Sequence, residues 1–93
     1  MKATVESAQQ LKQNLEQSLA LLRTLRDELR VEVHLAGMEA KTRWEGLERR
    51  FTKAEAMAAN VSNASHTIVD EAVTAFRAFR EWLADQKKAA RPN

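Results

Sequence analysis

Leu29-Arg30-Val31-Glu32-Val33-His34-Leu35-Ala36-Gly37-Met38-Glu39-Ala40-Lys41-Thr42-Arg43-Trp44 is the stretch on which the fold turns. Its apolar residues Leu29, Val33, Ala36, Ala40 and Trp44 recur in steps of four and three, which is helical periodicity. The stripe runs back through Leu25, Leu22, Leu15, Leu11 and Ala8, and forward through Leu47, Phe51, Ala54 and Ala58. No proline interrupts it. Gly37 is the one helix-resisting residue of the stretch, and an isolated glycine costs a helix only about 1 kcal/mol. Read as one element, the pattern predicts a first helix over about 4–59. The early part has heptad spacing; from Leu29 to Phe51 the steps approach an eleven-residue repeat, so the seam straightens in its middle.

A second stripe, Leu21, Val31, Leu35 and Met38, flanks the first. Residues 19–38 are therefore apolar around a wide arc. A two-stranded seam needs only a narrow stripe, so this arc implies two neighbours.

Beyond the polar run Asn60-Val61-Ser62-Asn63-Ala64-Ser65 a second pattern begins. Val69, Ala72, Phe76, Phe79 and Leu83 keep helical spacing, with Ile68, Val73 and Trp82 beside them. Thr67, with Asp70 three residues on, is a candidate N-cap, and Ser65 is its alternative. A shorter second helix is expected over about 67–90. Folding back at Ser62 and Asn63 pairs residue i with about residue 125 − i in an antiparallel hairpin. Trp82 then falls level with Trp44, Phe79 faces Gly46, and Phe76 lies near Phe51. The hairpin core reads as Trp44, Leu47, Phe51, Val69, Phe76, Phe79, Trp82 and Leu83.

The short helix reaches back only to about residue 35, by the same antiparallel geometry. Residues 4–34 are left as an arm. Two all-α architectures follow. In the first, the arm continues the long helix and packs on a second chain, giving a coiled-coil-like antiparallel homodimer centred near Val31. Its self-association interface is Leu15, Leu22, Leu25, Leu29, Val33 and Leu35. In the second, the chain breaks near Gly37 and closes as a monomeric three-helix bundle. Thr42-Arg43-Trp44-Glu45 matches a capping box and supports the break. The same Thr-x-x-Asp/Glu pattern recurs at Thr24–Asp27 and Thr52–Glu55, inside strong periodicity. Glu39–Arg43 and Lys41–Glu45 are favourable i,i+4 pairs that run through the joint. The balance favours the continuous helix and the dimer.

Composition bounds the rest. Ninety-three residues make one small helical domain over 1–93, with arm 4–34, hairpin 35–90 and basic tail 87–93. Cysteine is absent, which excludes disulfides, thiolate metal sites and cysteine nucleophiles. Fifteen basic and thirteen acidic residues are spread along the chain, so no concentrated basic face offers itself to nucleic acid. The tail Lys87, Lys88 and Arg91 is the exception, and it suits at most weak contact with an anionic membrane or nucleic-acid surface. No apolar run approaches a membrane span, and the N-terminus lacks a signal-peptide core, so a cytoplasmic protein without membrane insertion is expected.

No catalytic, metal or cofactor site is expected. His34 has Arg30 and Met38 at helical neighbour positions, a poor ligand set, and reads as a boundary histidine. His66 and Asp70 share a helix face at i,i+4; Asp70 reads as an N-terminal charge and His66 as solvated. No serine or threonine has a histidine base with an orienting acid. Trp44 and Trp82 sit at core spacing. The expected function is a non-enzymatic structural or interaction module that self-associates, with an adapter for a different protein as the alternative.

The segment from Leu29 to Lys41, with Trp44 and Leu47-Glu48, resembles short, uncharacterised bacterial coiled-coil proteins. The resemblance covers residues 29–48 and implies a bacterial helical protein, without an activity or functional residues to carry over. Trp44-Glu45-Gly46 is also similar to the Trp-x-Gly turn of small secreted helical-hairpin proteins. Here, though, the turn falls at Asn60–Ser65, and the tyrosine of that family's export signal has no counterpart.

Overall fold

A computed structural model describes the backbone of residues 2–90 and the side chains of residues 9–89. The described chain is all-α: α1 (Lys2–His34), α2 (Met38–Ala58) and α3 (Asn63–Ala90), packed against one another. The expected continuous helix over 4–59 does not form. Leu35 and Ala36 donate to the carbonyls of Glu32 and Val33, three residues back, which tightens and ends α1. Gly37 is extended, with φ −76° and ψ −179°, and caps α2 without a side chain. Its φ is open to any residue, so glycine is not demanded by left-handed geometry.

The reason for the break is the arm. A straight helix in a single chain leaves Leu15, Leu22, Leu25, Leu29 and Val33 in water. Bent, all five are buried, Leu22 and Leu29 completely. Each such burial contributes about 1.5–3 kcal/mol. The break sacrifices a few helix hydrogen bonds at about 1 kcal/mol net each. Five burials outweigh that loss.

The capping-box reading of Thr42 fails for a local reason. Its hydroxyl donates to the carbonyl of Met38 at 3.1 Å, inside α2. Thr24 and Thr52 do the same to Ala20 and Glu48, each at 3.0 Å. These three Thr-x-x-Asp/Glu matches are therefore interior threonines bonding back one turn, which is their usual alternative to capping.

α3 begins four residues before the expected 67, and neither Thr67 nor Ser65 is its cap. Ser62 takes that place: its Oγ accepts the Ser65 N–H at 3.0 Å, an N-cap to N3 bond. Ser65 is buried, and its hydroxyl proton is directed to the carbonyls of Met57, at 2.7 Å, and Asn60. Ser62 then donates to Ser65 Oγ at 2.9 Å. One small buried hydroxyl thus satisfies carbonyls at the end of α2 while its backbone is held by the start of α3. This knot fixes the α2–α3 turn.

The core draws on all three helices. α2 contributes Ala40, Leu47, Phe51 and Ala54; α3 contributes Val69, Ala72, Val73, Phe76, Phe79 and Leu83. Leu19, Ala36, Trp44, Ala58, Ile68, Ala75 and Trp82 pack partly buried against it. The wide arc of α1 does meet two neighbours, but only through the first stripe. Of the second, Val31, Leu35 and Met38 remain exposed.

Leu29→Ala is expected to lower unfolding free energy by about 2–5 kcal/mol, the range for a large core side chain cut to alanine. Urea melts followed by far-UV circular dichroism measure this; a loss below about 1 kcal/mol would contradict the packed α1. Ser65→Ala should cost about 1–3 kcal/mol by removing a buried hydroxyl from the carbonyls of Asn60 and Met57, the latter keeping the Asn60 N–H. A stability equal to the parent chain would mean that the α2–α3 turn does not depend on the hydroxyl.

Candidate interaction surface

Three ion pairs tie α1 to the other helices. Arg23 meets Glu55 of α2 at 2.7 Å. Arg26 holds Glu48 of α2 with two bonds, Nε to Oε1 at 2.7 Å and Nη2 to Oε2 at 2.9 Å. Lys87 of α3 donates to Glu32 at 2.6 Å. The first two set an antiparallel register between α1 and α2, and the third a parallel one between α1 and α3.

Arg26 is the most embedded of these cations. Its guanidinium also lies 4.6 Å from the centre of the Phe51 ring. The Glu48 carboxylate, hydrogen-bonded to it, raises the Arg26 pKa above its ordinary value, against a smaller opposing effect of burial. A raised folded-state pKa stabilises below the unfolded value, so this contribution is present throughout the physiological pH range and lost only in strong alkali.

Between α2 and α3 the aromatics form a chain. Trp44 packs edge-on against Phe76 at 5.6 Å and tilted against Phe79 at 5.9 Å. Phe79 stacks on Trp82 at 5.7 Å. Phe79 therefore stands between the two tryptophans, which do not meet as the hairpin register implied. Arg43, not Trp44, lies over Trp82, 4.3 Å from its ring centre. Leu47, Phe51, Val69, Phe76, Phe79 and Leu83 of the expected hairpin core are buried, while Trp44 and Trp82 are half-buried.

The residues assigned to self-association divide sharply. Leu15, Leu22, Leu25, Leu29 and Val33 lie inside the chain's own core and present no free surface. Leu35 is 88% exposed. It stands with Val31, 66% exposed, and Met38, 79% exposed, at the α1–α2 corner. A groove beside them is lined by Ala36, Gly37, Leu83 and the stems of Gln86 and Lys87. On the other side Asp27, Arg30 and His34 form a polar border. The arrangement is an apolar centre with a charged rim, the anatomy of a contact surface. Val31 and Met38 had been visible as a flanking stripe but not as interface residues. The signal was their spacing apart from the core stripe.

Elsewhere the surface offers little chemistry. The α2–α3 groove brings Arg49, Arg50 and Lys53 beside Glu71 over Gly46, without a nucleophile and base in contact. His66 is half-buried, and its Nδ1 lies 3.1 Å from Asp70 Oδ2, so these two pair rather than standing apart. His34 is exposed. Among the described residues no three His, Asp or Glu side chains gather as metal ligands. No helix there is long and apolar enough to cross a membrane. Of the tail cations, Lys87 is engaged with Glu32 and Lys88 is exposed, whereas Arg91 lies outside the described residues.

Comparison with protein families, curated proteins and solved structures returns no match to this chain.

A double-mutant cycle on Arg26→Ala and Glu48→Ala should give a coupling of about 0.5–1 kcal/mol, shrinking as salt is raised. Coupling that is absent at low salt would leave Arg26 acting only through its packing on Phe51.

Proposed function

We propose that this chain is a non-enzymatic protein–protein interaction module that self-associates through the α1–α2 corner, as a homodimer. The observation that carries the reading is the exposure of Val31, Leu35 and Met38 in a chain whose other large apolar side chains are mostly packed away. A small chain gains stability by association, because its own core is limited. Three neighbouring exposed apolar residues with a charged border are a contact surface in waiting, whereas singly scattered ones need no explanation. The mixed charge of the surface favours a protein partner over a polyanion.

Light scattering across a concentration series tests the proposal. The mass should rise from 10.6 kDa toward twice that value. Leu35→Asp should hold it at the monomer mass while changing monomer stability by no more than about 0.5 kcal/mol, as for an exposed position. A wild-type mass that stays monomeric up to submillimolar concentration would sink self-association.

A further inference from the structure

We infer that two copies associate by exchanging α1: the joint at Leu35–Gly37 straightens, α1 and α2 become one helix, and α1 of each copy packs on the α2–α3 hairpin of the other. This rests on the self-association reading and specifies how it is achieved.

Four observations converge on it. First, the core stripe is in phase across the joint. Leu29, Val33, Ala36 and Ala40 keep helical steps although the backbone breaks between them. Second, the joint has weak fixings. It is three residues long, its N-cap has no side-chain bond, and a Cβ at Gly37 would meet nothing within 4 Å. The α2–α3 turn, by contrast, is knotted by Ser62 and Ser65. Third, Val31, Leu35 and Met38 are spaced by four and three, so they form one stripe only when the helix runs straight. In the bent chain that stripe has no partner. Fourth, each of the three α1 ion pairs joins α1 to the hairpin, so exchange preserves every one of them between chains.

The register locates the axis. Arg23 pairs with Glu55 and Arg26 with Glu48; their midpoints are residues 39 and 37. A straightened pair of antiparallel helices keeping those contacts has its two-fold axis beside residues 37–39. Leu35 and Met38 of both copies then meet at the centre. The axis lies further toward the C-terminus than Val31, where the sequence had suggested it. Exchanging an identical element is a low-cost route to a dimer, because the closed monomer already contains nearly all of the contacts.

The chain has no cysteine, so introduced thiols are unique. Equal amounts of an Arg23→Cys chain and a Glu55→Cys chain, unfolded together, refolded at high concentration and treated with a short bismaleimide, should give the mixed covalent dimer. Neither chain can link 23 to 55 within itself. A dimer by mass with no 23–55 link overturns the exchange while leaving self-association standing; a monomer at every concentration overturns both. Gly37→Ala should tighten dimerisation roughly thirty-fold, one glycine-to-alanine helix preference at each of two joints. Unchanged dimerisation in Gly37→Ala counts against exchange. Gly37→Pro, whose ring suits φ −76° but not a helix interior, should stay monomeric and helical.

Discussion

Burial of the α1 stripe is the interaction on which the rest of this molecule depends. Leu22 and Leu29 are wholly inaccessible, and Leu15, Leu25 and Val33 nearly so. Their partners are the apolar faces of α2 and α3, which could cover one another as a hairpin but would leave a further side open. The three elements form a closed core only together. The break at Leu35–Gly37 follows from this: a helix is interrupted where interruption is cheapest so that its own first half can fold back. Glycine matters there as a weak helix former, not as a residue of special backbone geometry.

The two connections do different physical work. At the α2–α3 turn, Ser65 places a hydroxyl among carbonyls at the end of one helix, and Ser62 satisfies a donor at the start of the next. These bonds are all local, so the turn is specified largely by its own chemistry. The α1–α2 joint has only two tightened backbone bonds and an extended glycine. It is specified from a distance, by what α1 gains on packing. A joint held by remote packing opens when the same packing is supplied by another molecule; a joint held by its own hydrogen bonds does not.

This difference explains what could be read from the residues alone. Helix content and the apolar stripes were legible, because periodicity is local and strong. The α2–α3 turn was visible as a polar run, although Thr67 was a poorer guide than Ser62 to where α3 starts. The bend at Gly37 was not decidable, because Leu29, Val33, Ala36 and Ala40 read identically in a straight and a broken helix. The capping-box pattern at Thr42 gave the right region for the wrong reason: Thr42 bonds back to Met38, and the cap is Gly37. Trp44 and Trp82 were expected level with each other, but pairing by level could not show that Phe79 intervenes and Arg43 covers the outer ring.

The leftover residues are informative for the same reason. A single bent chain can use the first stripe and has no use for the second, so Leu35 and Met38 stand in water at a cost that a lysine or glutamate would avoid. Nothing in the monomer requires leucine at a position 88% exposed. A straight helix does give both residues a place, on the line that continues Val31 and beside the axis that the Arg23–Glu55 and Arg26–Glu48 pairs define. In the proposed exchange the straight form would keep the core and the α1 ion pairs of the bent one and differ from it mainly at this corner. On the proposed exchange, their balance would be set by concentration and by the helix preference of residue 37.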